Sequence, residues 1–217
     1  MTATSNRQPA IAQALLQINA VGFSPDAPIT FKSGLRSPVY VDNRRLPFHP
    51  DEWEIVLQGF QALIEEKRLA YDAIAGIAVG GVPHSSALGY LMHKPSLFIR
   101  KESKGHGHQK LVEGGDVEGL RVLLVEDLVT TGGSAMIGVE ALREAGAIVT
   151  DLVAIVTYGF AEAEKTFAEA NVALHTLVPF RTILAEALAM KCFDETQAAV
   201  IEDWFAAPQG WAERHHL

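Results

Sequence analysis

The residues best equipped for chemistry stand together in the run Val122-Leu-Leu-Val-Glu-Asp-Leu-Val-Thr-Thr-Gly-Gly-Ser-Ala135. Val122 to Val125 is continuously apolar and reads as a buried parallel strand, ending in the acidic pair Glu126-Asp127. A short turn rich in Thr, Gly and Ser follows, and Ala135-Met-Ile-Gly-Val-Glu-Ala-Leu-Arg143 then has helical periodicity. A strand feeding a helix through such a turn presents backbone N–H groups at the positive end of the helix dipole, which suits a phosphate. Gly132 and Gly133 allow close approach of the backbone, while Thr130, Thr131 and Ser134 supply hydroxyl donors. The two carboxylates cannot serve the phosphate, because like charges repel; they suit the vicinal hydroxyls of a ribose. The two halves together read as a grip for a ribose 5-phosphate. An ordinary strand-to-helix turn with a capping hydroxyl accounts for Ser134, but not for the acidic pair or the doubled Thr and Gly.

A second chemical segment is cationic. Between Ile99 and Asp116 stand Arg100, Lys101, Lys104, His106, His108 and Lys110, spaced by Gly105, Gly107, Gly114 and Gly115. The glycines and the scarcity of apolar anchors predict a loop that is open and poorly ordered over residues 102–115 without ligand. A polyanion such as pyrophosphate would gather its cations and close it. His106 and His108 lack a third ligand at suitable spacing, so the pair is not read as a zinc site.

These segments need a frame. Apolar periodicity predicts helices over 11–18, 51–68, 83–92, 161–170, 181–190 and 194–205, with Pro50 opening the second. Strands are expected at 29–34, 37–42, 73–79, 97–99, 121–126 and 149–156. Strands alternating with helices imply an α/β fold, a central parallel sheet with helices on both faces, and a site at the carboxyl ends of the strands. A length of 217 residues suits one domain, and 48% hydrophobic with 20% charged residues describes an ordinary globular chain. The net charge of −8 argues against a nucleic-acid surface. Cys192 is the single cysteine, so no intrachain disulfide can form. No apolar run approaches the roughly 20 residues that span a membrane, and the N-terminus lacks the apolar core of a signal peptide, so a cytoplasmic protein is expected.

The Val122–Ala135 run resembles the phosphoribosyl pyrophosphate (PRPP) signature of the type I phosphoribosyltransferases. Arg100-Lys-Glu-Ser-Lys104-Gly-His106-Gly is similar to the flexible loop of the orotate phosphoribosyltransferases within that group. Phe31-Lys-Ser-Gly-Leu-Arg-Ser-Pro-Val-Tyr-Val-Asp42 resembles their N-terminal hood, and Thr157-Tyr-Gly-Phe160 is similar to their shorter form. The resemblance implies one phosphoribosyltransferase domain over 1–217, with residues 1–45 contributing the hood. It also implies transfer of ribose 5-phosphate from PRPP to orotate in UMP biosynthesis. Mg²⁺ would be held mainly by substrate and water, and a homodimer would share its active sites.

Residue by residue, the resemblance assigns PRPP to Arg100, Lys101, Lys104 and His106 and to the stretch Glu126, Asp127, Leu128, Val129, Thr130, Thr131, Gly132, Gly133 and Ser134. Among these, Lys101, Lys104, His106 and Asp127 would be catalytic. Orotate would meet Lys32, Tyr40, Val41 and Thr130. Val79 and Gly80 stand where some relatives carry Tyr-Lys, so a pyrophosphate cation is missing. Tyr158-Gly159 stands where some bring an orotate-binding Arg, so either backbone amides and hydroxyls hold the orotate carboxylate or another Arg substitutes, with Arg36 and Arg181 as the two candidates. A purine or uracil relative would keep the cradle, but the 32–42 segment opposes it. A PRPP-sensing regulator is opposed by the complete loop and the acidic balance.

Overall fold

Chain segments that are apolar at every position, rather than at alternate ones, are buried on both faces, and the centre of this protein is built from them. The computed structural model describes residues 3–30, 34–100 and 111–217, with side chains from residue 7 onward in the first stretch. The chain opens with α1 (Ala3–Gln17), then β1 (Val21–Phe23), β2 (Ile29–Thr30), β3 (Arg36–Ser37), β4 (Val39–Val41), a 3-10 turn (Asn43–Phe48) and α2 (Pro50–Lys67). The alternating part follows: β5 (Ala73–Ile77), α3 (Gly81–Leu91), β6 (Ser96–Ile99), β7 (Val112–Glu113), β8 (Val122–Val129), α4 (Gly133–Glu144), β9 (Asp151–Thr157), α5 (Ala161–Glu169) and β10 (Ala173–Pro179). Helices α6 (Phe180–Ala189), α7 (Glu195–Ala206) and α8 (Trp211–Arg214) complete it.

The main sheet has the order β10-β9-β8-β5-β6-β7, parallel except for β7, which runs antiparallel to β6. β5 is buried throughout. In β8, Leu123 and Val125 enter one core while Val122 and Leu124 enter the other. Each such side chain stabilises the fold by roughly 1.5–3 kcal/mol when fully buried. The first core is closed by α1, α2 and α6 with Trp204 of α7, and the second by α4 and α5 through Val139, Leu142 and Phe167. From β5 the chain passes through α3 to β6 on one side, then returns to place β8 on the other. The strand order therefore reverses between β5 and β8, and a crevice opens at their carboxyl ends.

The hood is two small antiparallel ribbons outside this sheet, β1 with β4 and β2 with β3. Pro38 divides the strand expected over 37–42, since its missing N–H cannot continue a ladder. Trp204 Nε1 donates to the Arg36 carbonyl at 2.8 Å, tying the hood to α7. Aromatic rings fill the joint, with Tyr158 and Trp204 centroids 5.6 Å apart and Phe180 and Phe205 4.8 Å apart.

Three expectations change. β8 runs on to Val129, so the acidic pair lies inside the strand rather than at its end. The polar interruption after Ile99 is shorter than read, because Val112–Glu113 pair with β6 and Val117 is buried in the second core. Strands β1 and β10 were not expected at all.

Candidate functional site

The phosphate cradle forms where β8 turns into α4. Gly132 takes φ +89° at the helix start, and a Cβ there would stand 3.1 Å from the Phe167 ring. A side-chain-bearing residue would be strained on both counts. No side chain caps α4 and no acid occupies its first turn. Its leading N–H groups and positive dipole end therefore remain available to an anion. A cavity of about 90 Å³ lies in front of them, lined by Glu126, Leu128, Val129 and Thr130 through Ala135. A Cβ on Gly133 would meet no protein atom within 4 Å, so this backbone faces open space.

Extended backbone sends the two carboxylates of the acidic pair different ways. Glu126, only 6% exposed, lines the cradle, and its Oε1 accepts from Asp127 N at 3.1 Å. Asp127 is absent from that lining and instead lies against the β5–α3 loop, where a Cβ on Gly80 would fall 2.3 Å from its carboxylate. Gly81 is equally constrained, with a Cβ there 2.4 Å from the Val125 carbonyl oxygen. The Ala78–Val79 peptide in this loop is cis.

Several residues around Asp127 had escaped the sequence reading. Asn43 Nδ2 donates to the Asp127 carbonyl at 2.7 Å. Arg44 Nε pairs with Asp42 Oδ1 at 2.5 Å, and its Nη2 donates to the Tyr40 hydroxyl at 3.2 Å. The Asp42 hydrogen bond, then the charges of Asp42, Tyr40 and Asp127, hold the Arg44 guanidinium above its ordinary pKa. Behind the loop, His84 is fully buried with its Nδ1 accepting from Trp53 Nε1 at 2.9 Å. Burial pushes His84 down to about 4, against a smaller opposing pull from Asp127.

In the hood, Tyr40 is 42% exposed, whereas the Val41 side chain is packed into the first core. Strand alternation commits the Val41 side chain inward, so a contact between Val41 and a base would be made by its backbone. A cavity of about 960 Å³ extends from Thr130 and Thr131 past Gly34–Arg36, Gly159–Glu162 and α7. Arg36 lines it; Arg181 lines a separate groove with Leu184, Glu202 and Asp203. Arg100, at the end of β6, pairs through Nη1 with Glu113 Oε1 at 3.1 Å. Lys32, Lys101, Lys104 and His106 lie outside the described residues.

Comparison with known proteins gives this geometry a family context. The phosphoribosyl transferase domain family matches residues 51–173. The orotate phosphoribosyltransferase of Coxiella burnetii is 36% identical over 206 residues, covering 95% of this chain and 99% of its own. That of Staphylococcus epidermidis is 41% identical over 174 residues, covering 80% and 86%. Among solved structures, orotate phosphoribosyltransferase from Aeropyrum pernix matches with a TM-score of 0.73 at 32% identity, over 81% of this chain and 97% of its own. Leishmania donovani UMP synthase matches 92% of this chain with a TM-score of 0.81 at 27% identity, and this chain spans 42% of that longer protein.

Proposed function

The chain belongs to the orotate phosphoribosyltransferases, and from that premise we propose that its cleft transfers ribose 5-phosphate from PRPP to orotate, releasing orotidine 5-phosphate and pyrophosphate for pyrimidine biosynthesis. The observation that carries this reading is the uncapped start of α4 with Glu126 on its cradle, opening through Thr130 and Thr131 beside a larger cavity with ample room for a base. The 5-phosphate takes the Thr130–Ser134 backbone and hydroxyls, and the ribose hydroxyls take the acidic pair. The C1–O bond breaks with its electron pair going to pyrophosphate, a C1–N1 bond forms to orotate, and the N1 proton is released to water or to the departing pyrophosphate. Orotate is anionic with an acidic ring nitrogen, so no strong protein base is required. The demanding change is positive charge on the ribose and negative charge on the leaving group. Glu126 and Asp127 stabilise the first; Arg100, Lys101, Lys104 and His106 stabilise the second.

Mg²⁺ fits this site as an ion held mostly by substrate. Among the described residues no cluster of three His, Cys, Asp or Glu could cage it, and Glu126 is already buried against the Asp127 N–H. Asp127 is the carboxylate left to contribute, and the ion usually keeps several water and phosphate oxygens. When bound, it supplies charge neutralisation on the pyrophosphate.

We read residues 1–217 as one domain with residues 1–45 as its hood, working in the cytoplasm as a homodimer. Among the described residues no helix is long and apolar enough to cross a membrane. The dimer is supported by Phe48 (86% exposed) and Tyr90 (82%), with Ile55 and Leu91, on the adjoining 3-10 turn, α2 and α3. Large exposed apolar groups on neighbouring elements mark an association surface. Purified protein given PRPP, Mg²⁺ and a panel of bases should release pyrophosphate with orotate alone. Turnover with a purine or uracil instead would overturn the reading.

A further inference from the structure

We propose that Arg36 is the cation that receives the carboxylate of the base, so that selection for a carboxylated ring is made from the hood. This deepens the orotate reading and rests on it. Arg36 stands in β3, its carbonyl fixed by Trp204 Nε1 at 2.8 Å, which sets the root of the side chain. Its Nε is buried and has no hydrogen-bond partner among the described residues, nor does the guanidinium join any ion pair there.

The same side chain lines the cavity of about 960 Å³ that opens from Thr130 and Thr131, next to the phosphate cradle. It is the only cation among the described residues lining that cavity, whose other charged members are Glu162 and Glu213. An anionic group entering there gains at Arg36 and is repelled at the two carboxylates. Gly159, where some relatives place an arginine, lines this cavity without a side chain, and Arg181 lies in a different groove.

A guanidinium that lines a cavity without an ion-pair partner gains a charge-assisted bond when a carboxylate enters. A guanidinium is also planar, and its fork matches a carboxylate lying in the plane of a heterocycle. Phosphate has its own cradle at α4, and an uncarboxylated base such as uracil offers Arg36 nothing ionic. The ligand class is therefore a planar heterocyclic carboxylate.

The test compares two nucleotides that differ only in that group, orotidine 5-phosphate and UMP, by calorimetry on wild type, Arg36→Gln and Arg36→Lys. Wild type should prefer orotidine 5-phosphate. Arg36→Gln should lose roughly ten- to a hundredfold of affinity for it while keeping UMP affinity, the scale of one charged hydrogen bond. Arg36→Lys should recover part of the loss. Retained UMP binding also reports that the variant is folded. Wild-type discrimination in Arg36→Gln, or an equal loss for both nucleotides, would overturn the proposal while leaving the orotate reading intact. Failure of the wild type itself to use orotate in the base-panel assay, or to prefer its nucleotide, would remove that reading and this proposal together.

Discussion

Asp127 is held from two directions, by the Asn43 side chain on its carbonyl and by Gly80 against its carboxylate. Asp127→Asn preserves the shape and removes the charge. Its kcat/KM for PRPP is expected to fall by about 10²–10³, the usual scale for one well-placed electrostatic contact, with the melting temperature unchanged. Gly80→Ala reaches the same group by displacement, since its methyl would stand 2.3 Å from the carboxylate. A comparable loss is expected in steady-state assays. A folded Gly80→Ala protein with full activity would separate the carboxylate's position from catalysis. Asp127 was visible in the sequence as a candidate because it stands beside Glu126 just before a phosphate turn. Asn43 was not, because its relevance comes from a partner 84 residues away. For Val41 the motif left the orientation open: a short motif names neighbouring residues together, and a strand sends their side chains to opposite faces, which leaves Val41 its backbone for a base.

At the scale of elements, the β8–α4 turn contains two adjacent glycines with different duties. Gly132 is needed by the fold, with φ +89° and Phe167 at 3.1 Å, whereas Gly133 faces open space. Gly132→Ala is expected to destabilise the protein by about 1–2 kcal/mol in urea titrations, the cost of a side chain in the left-handed region. Gly133→Ala should leave that midpoint within error and still weaken ribose 5-phosphate binding by calorimetry, because its methyl occupies the phosphate's approach. Equal effects of the two on stability would show that the cradle is not divided this way. Helix α3 carries a pH dependence of its own. His84 titrates at about 4 in the folded protein against 6.5 as the ordinary value, so the unfolded chain binds a proton there that the native one does not. Stability from this site is complete above pH 6.5 and falls as pH drops toward 4, by roughly 3 kcal/mol in total. His84→Gln can still accept from Trp53 Nε1 but does not titrate, so its unfolding free energy should be flatter over that window. Parallel curves for the two proteins would exclude the assignment. β8 and α4 were legible because a continuous apolar run meets a helical period across a glycine turn. β10 was not: Ala173-Leu-His-Thr-Leu-Val-Pro179 is an edge strand whose His175 and Thr176 break the apolar run and whose Pro179 reads as a stop.

For the whole molecule, alternating strands and helices announced a parallel sheet, but not its order. The reversal between β5 and β8 is set by which edge each new strand joins, and local periodicity carries no record of that. The same limit applies to association, where the exposed Phe48, Ile55, Tyr90 and Leu91 are recognisable as a surface only once the 3-10 turn, α2 and α3 are brought together. If that surface forms a two-fold dimer whose cationic loops each serve the partner's cradle, the loop and Asp127 of one site come from different subunits. Lys104→Ala and Asp127→Asn proteins, each inactive alone, then lose complementary halves. In a hybrid dimer one site combines the intact loop of one subunit with the intact Asp127 of the other, while the second site carries both defects. Activity per hybrid should be about half that of wild type, and about a quarter for a random equal mixture, as two-fold symmetry requires. A loop that closes over its own subunit gives every hybrid site one defect, and no activity returns. With hybrid formation verified by differently tagged subunits, the presence or absence of rescue decides between the two arrangements.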